Sequence, residues 1–128
     1  MLDRPFNPGE ERYVGLATYR RSGIEVCTPV WIAESEGKYY LFSEGEAGKV
    51  KRLRANSRVR LAACDSRGKI RSEWLDAEGL VAVDYALIKR AYKALQRKYG
   101  WQMKMLDFFS KLGGRYDKRA ITELNIIA

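Results

Sequence analysis

Residues 46 to 60 read EAGKVKRLRANSRVR, and this stretch carries the most obvious chemistry in the chain. Lys49, Lys51, Arg52, Arg54, Arg58 and Arg60 oppose one acid, Glu46. Gly45 and Gly48 precede the cations, and Ala47, Val50 and Leu53 recur at helical spacing. That pattern predicts a glycine loop running into a short helix. A helix start presents unpaired backbone N–H groups, and its dipole adds about half a positive charge there. Lys49, Lys51 and Arg52 would add charge-assisted bonds to phosphate oxygens, and Ser43 a hydroxyl donor. The Walker pattern GxxxxGK[ST] is absent. Composition leaves three readings open: a small-anion cradle, a nucleic-acid grip, or a solvated charged helix.

Three other stretches could contribute. In TPVW (28 to 31), Pro29 cannot donate to a strand ladder, so the sequence predicts an interruption there. The freed backbone groups of Thr28, Val30 and Trp31 could then face a flat heteroaromatic ring. In RSEWLDAEG, Trp74 stands near Glu73 and Asp76, and paired carboxylates can do acid–base work. If this stretch is a strand, alternation puts Glu73 on the face opposite Trp74 and Asp76. In RKYGWQMKM, Tyr99, Trp101 and the methionines read as core or subunit contact.

None of these is an activated nucleophile or a metal cage. The chain has no histidine, which removes Ser-His and Cys-His pairs and the commonest metal ligand. Cys27 and Cys64 lie in apolar runs without ligand spacing and read as buried free thiols of a reducing compartment. An enzyme built on this chain needs a cofactor to supply the reactive atoms, and no catalytic acid or base can be named.

The elements that must position these residues follow from period and punctuation. Strands are expected over 12–20, 24–33 (with Pro29 on an edge or beside a bulge), 38–43, 57–65, 69–83 and 119–128. RSG, ESEG and DSRG supply turns, and Gly79 marks a bulge or a close contact. The first three strands, joined by short turns, should be antiparallel neighbours. Asp84 caps a helix with Leu87, Ile88, Ala91, Tyr92, Leu95 and Tyr99 on one face and Gly100 as its stop. WQMKMLDFFSKL forms a second helix, ended by Gly113 and Gly114. Residues 1–11 form an arm.

The whole is one domain over 1–128 of mixed β and α structure. Six antiparallel strands suit a small barrel, with a short helix and a C-terminal helical pair. The net charge is +8. A basic surplus favours anionic partners: nucleic acid, acidic lipid or a phosphorylated small molecule. No run approaches the ~18 apolar residues that span a bilayer, and no signal core opens the chain, so a cytoplasmic protein is expected.

YVGLATYRRSGIEVCTPVWIAESEGKYYLFSEGEAGKVKRLRANSRVRLAACDSRG resembles the pyridoxamine 5′-phosphate oxidase-like superfamily of flavin- and deazaflavin-binding proteins, and within it the F420-dependent class. The likeness rests on four features in order: Thr-x-Arg before a turn, TPVW, GKVKRLR, and CDSRG. It covers about residues 12 to 80. Ser57 departs from it, standing where many relatives carry proline. The resemblance implies a split β-barrel of the FMN-binding type. It implies a homodimer with two cofactor sites at the subunit interface, and an oxidoreductase moving hydride between reduced F420 and a small organic acceptor. The ring would lie along Thr28, Pro29, Val30 and Trp31. The phosphate would lie at Lys49, Lys51 and Arg52, and Trp74 of a partner strand would close the site. FMN is the alternative cofactor. F420, with a phosphate and a polyglutamate tail, is the more anionic and better suits a basic chain. A carrier without turnover and a nucleic-acid-binding small barrel are the rival readings. The latter is weakened because the cations gather at one helix and are not interleaved with aromatics on a strand face.

Overall fold

The structure is a computed structural model and describes residues 5–44, 48–105 and 119–127. A 3-10 turn, Pro8–Glu10, precedes strands β1 (Tyr13–Tyr19), β2 (Glu25–Val30), β3 (Ile32–Ser35) and β4 (Lys38–Glu44). Helix α1 (Gly48–Ala55) leads into β5 (Arg58–Cys64) and β6 (Leu75–Val81). Helix α2 (Tyr85–Tyr99) follows, then helical residues 101–105 (α3), and β7 (Arg119–Ile126). The expected end of the second helix, with Gly113 and Gly114, lies outside the described residues, as do Gly45 and Ala47.

All pairings are antiparallel, in the order β2-β1-β5-β6-β7-β4-β3. The two ends of this order, β2 and β3, are consecutive in the chain and separated only by Trp31. The sheet therefore curls until its ends meet at one residue. Val14, Leu16, Val30, Ile32, Leu41, Leu61 and Leu124 fill the interior. A second core lies outside the curl, where Ala33, Tyr40 and Ile121 meet Ala91, Leu95 and Tyr99 of α2 and Met103 of α3. Period-2 alternation divides the strands between the two: Leu41 faces in and Tyr40 out, Ile32 in and Ala33 out.

Most elements form where the sequence places them. Asp84 caps α2 by accepting from the Ala86 N–H, and Gly100 ends it at φ 55°. The whole expected apolar face of α2 packs into the second core. Glu36 and Gly37 both take positive φ, which makes the tight β3–β4 turn. Asp65 Oδ1 accepts from the Arg67 and Lys69 N–H groups and folds the DSRG turn.

Three expectations are corrected. The strand expected over 24–33 is two strands on opposite ends of the sheet, so seven strands form among the described residues and not six. Pro29 does not interrupt the ladder. It pairs with Gly15, and the edge position of β2 tolerates its missing donor. The break falls at Trp31, where the chain crosses between the ends.

The strand expected over 69–83 begins only at Leu75. Residues 69–74 leave the ladder because Ser72 Oγ takes the Ala63 N–H at 2.8 Å and only Ile70 makes an isolated bridge, to Cys64. Trp74 and Glu73 therefore sit on a loop. Gly79 marks a close contact: a Cβ there would lie 2.9 Å from Leu53 Cδ2. Finally, Cys27 is exposed, since β2 turns residues 26, 28 and 30 inward and 25, 27 and 29 outward. Cys64 is buried, and burial pushes its thiol up to about 11.

Candidate functional site

Helix α1 buries Val50 and Leu53 and so holds its remaining residues toward solvent and the β1–β2 hairpin. Lys51 is exposed and Arg52 half-buried. Arg52 Nε donates to Thr18 Oγ1 at 2.6 Å, and Thr18 Oγ1 lies 3.5 Å from the Val26 carbonyl oxygen. This chain of contacts ties α1 through β1 to β2. The Arg52 guanidinium also lies over the helix start, where a Cβ on Gly48 would come within 2.8 Å of Nη1. Gly48 therefore supplies the space in which that guanidinium rests. Burial lowers the Arg52 pKa, and the positive charge of Arg20 lowers it further. A guanidinium stays charged under such a shift, and its direction records burial first and the neighbouring like charge of Arg20 second.

The two arginines share a location. A cleft of about 280 Å³ is lined by Tyr19, Arg20 and Arg21 of the hairpin and by Lys51, Arg52 and Ala55 of α1. No acidic side chain is among them. The four cations among the described lining repel one another, and an anion placed between them relieves that repulsion. The carboxylate of Glu25 accepts from the hydroxyl of the lining residue Tyr19 at 3.1 Å and is held by Arg60 through Nη2 at 2.6 Å and Nε at 3.2 Å.

The site residues expected from sequence fall into separate groups. Lys51 and Arg52 line the cleft, and Lys49 is half-buried on the same helix. Ser43 is buried in β4 opposite Ala120 and is not among the described lining residues. Thr28, Pro29, Val30 and Trp31 do not line the cleft either, but Val26 and Thr28 share a face of β2, about 7 Å apart. Thr28 Oγ1 is buried without a hydrogen-bond partner among the described residues. The cations of the cleft suit a phosphate, whereas Thr28 Oγ1 is turned inward and closed off from solvent.

Trp31 is only partly exposed and stacks on Tyr99, with ring centroids 4.4 Å apart and planes at 8°. Tyr99 Oη takes the Ile32 N–H at 2.9 Å and donates to the Arg12 carbonyl at 2.8 Å. Lys98 Nζ donates to the carbonyls of Ile32 and Glu11. Burial and the Arg12 charge lower Lys98 to about 8, and burial raises Tyr99 to about 12. This network pins the crossing point between β2 and β3. Trp74 is far from this arrangement in function: its ring carries the Arg60 guanidinium at 4.5 Å. Glu73 and Asp76 are both exposed and do not form a carboxylate pair by strand alternation, because Glu73 lies off the strand.

Sequence reasoning missed Thr18, Arg20 and Arg21 as partners of α1. Their only signal was TYRR ahead of a turn, which marks a hairpin but not what the hairpin faces.

No protein-family model and no curated protein matches the sequence. Solved structures do match. A candidate pyridoxamine 5′-phosphate oxidase from Listeria innocua aligns with a TM-score of 0.63 at 10% identity, over 94% of this chain and 88% of that one. The chain shares the fold of that protein. An FAD-binding protein from Mesorhizobium loti shares this fold with a TM-score of 0.60 at 21% identity, covering 94% and 82%. So does the heme storage protein HutZ from Vibrio cholerae, with a TM-score of 0.73 at 13% identity, covering 94% and 85%. No helix among the described residues is long and apolar enough to cross a membrane.

Proposed function

We propose that the chain is an oxidoreductase that binds a phosphate-bearing flavin-type cofactor, coenzyme F420 in the first place and FMN as the alternative, and works as a homodimer. The observation that carries this reading is the cleft between the hairpin and α1, whose described lining holds Lys51, Arg52, Arg20 and Arg21 and no acid. The fold adds support, since neighbours that share it include a flavin-binding protein.

In this reading Lys51 and Arg52 hold the phosphate, with Lys49 beside them. The ring lies along the edge of β2 at Thr28, Pro29, Val30 and Trp31, and the Tyr99 stack keeps Trp31 and the strand edge rigid. The bound cofactor supplies the hydride chemistry. The chain's own part is to orient the ring and exclude water, and orientation alone can recover roughly 7 kcal/mol of barrier. Trp74 of a partner subunit closes the ring site. The preference for F420 over FMN rests on charge: the cleft and the net +8 favour the more anionic cofactor. A chain without histidine lacks a frequent axial ligand of heme, which sets it apart from a heme-storing use of the same fold.

The test is equilibrium binding of F420 and of FMN to purified protein. One cofactor per subunit, with F420 tighter, is expected. Lys51→Ala should weaken binding by about tenfold, the loss of one charge-assisted bond. Failure of both cofactors to bind overturns the assignment.

A further inference from the structure

The cleft at α1 continues into a second and larger one. This neighbour, about 560 Å³, shares Tyr19, Arg20, Arg21 and Ala55 with the first and adds Gly23, Asn56 and Arg58. It lies between the tip of the β1–β2 hairpin and the turn that joins α1 to β5. Its described lining again contains no acid. We propose that it is a second anion subsite, built by Arg20, Arg21 and Arg58, which selects ligands bearing a second anionic group over simple monophosphates.

The inference rests on the reading that the first cleft holds a phosphate, and it names the ligand class: a small molecule with two anionic groups that reach both clefts. The local geometry is prepared for it. The hairpin tip is fixed by the Gly23 N–H donating to the Arg20 carbonyl at 2.8 Å, with Gly23 at φ 88°, a conformation that favours glycine. Arg20 and Arg21 are thereby presented on a short, defined turn. On the opposite wall Asn56 Oδ1 accepts from the Arg58 N–H at 3.1 Å and orders the start of β5.

The second cleft, like the first, borders Ala55 at the C-terminal end of α1, where the helix dipole is negative by about half a charge. Three guanidinium groups outweigh that term, so attraction for an anion here comes from side chains alone. Arginine suits the role because its planar fork meets carboxylate or phosphate oxygens two at a time. A monophosphate in the first cleft meets Arg20 and Arg21 from that side only and leaves Arg58 unused. A ligand with a second anionic group engages them, and discrimination between the two follows.

The experiment is a titration of the whole chain, followed by backbone amide NMR, with inorganic phosphate and with inorganic tripolyphosphate. Phosphate should perturb Lys51 and Arg52 together with the shared Arg20 and Arg21. Tripolyphosphate should also perturb Gly23 and residues 56–58, and should bind more tightly. In an Arg21→Ala/Arg58→Ala double variant, the preference for tripolyphosphate over phosphate should fall by about tenfold. Both positions are exposed, and an unchanged fold is checked in the same spectra. Perturbation at Lys51 and Arg52 without any at Gly23 and residues 56–58, or an unchanged preference in the double variant, overturns the second subsite and leaves the phosphate reading standing. Perturbation at the hairpin alone overturns the phosphate reading. Shifts spread equally over remote arginines such as Arg71 and Arg97 overturn the second subsite, because they report only a diffuse ion atmosphere.

Discussion

Gly48 organises a charged group by lacking a side chain. The Arg52 guanidinium occupies the space a Cβ would take, and from there it bonds Thr18 and faces the cleft. Gly48→Ala brings a methyl within 2.8 Å of a flexible side-chain end, so the arginine moves while the backbone stays. Alanine favours a helix over glycine by up to about 1 kcal/mol, so stability should hold or rise slightly. Cofactor affinity should fall by about fivefold or more, since one charge-assisted bond is displaced. Thermal melting and a binding isotherm on the same variant check both halves. At this scale the sequence was informative about type and not about company. GKVKRLR showed that cations follow a glycine at a helix start. Nothing in it showed that Arg20 and Arg21, about thirty positions earlier, complete the same wall, because strand pairing and hairpin geometry bring them there.

At the scale of elements, the crossing at Trp31 and the packing of α1 on the sheet decide the architecture. The 24–33 run is β-branched and apolar throughout, and by periodicity alone it is one strand. It is cut because Trp31 stacks on Tyr99 while the hydroxyl of Tyr99 takes the Ile32 N–H. Those partners lie nearly seventy residues away, beyond any local pattern. Lys98 holds the same crossing and titrates within reach of experiment. Its folded pKa of about 8 lies below the ordinary value of 10.5. Between those pH values the unfolded chain binds more protons than the folded one, so the Lys98 contribution to stability grows as pH rises from 8 toward 10.5 and is lost as pH falls through 8. Urea unfolding at pH 8 and pH 10 should show that rise, and Lys98→Met should remove it from the difference. A smaller contact sets how α1 sits. Gly79→Ala would place a Cβ 2.9 Å from Leu53 Cδ2, 3.3 Å from Thr122 Cγ2 and 3.4 Å from Leu124 Cδ2. Overpacking of this kind costs about 1–3 kcal/mol, measurable as a lower denaturation midpoint. An unchanged midpoint would mean that α1 lifts away without penalty.

For the whole molecule, the curled sheet puts one core inside and a second beneath α2, and leaves Leu80, Val83 and Tyr85 exposed beside each other in sequence. The proposed interface site requires two chains. Sedimentation equilibrium with cofactor bound should therefore give about twice the 14.7 kDa chain mass. A cofactor-loaded species at the single-chain mass would refute a site shared between subunits.

What the sequence determined by itself is local: the strands of clean alternation, the Asp84-to-Gly100 helix with its apolar face, the turns at Gly37 and Gly68, and the cations of α1. Each depends on neighbours within a few residues, and period, caps and turn chemistry encode those. The tertiary structure alone decided the splitting of the 24–33 run at Trp31, the release of residues 69–74 from the ladder, the outward turn of Cys27, and the cleft joining the hairpin to α1. All four depend on which distant backbone and side-chain groups satisfy one another. Ser72 claiming the Ala63 N–H, Tyr99 claiming that of Ile32, and Arg52 reaching Thr18 are such pairings. A pairing of this kind forms only once the sheet has curled, and so it leaves no periodic trace along the chain.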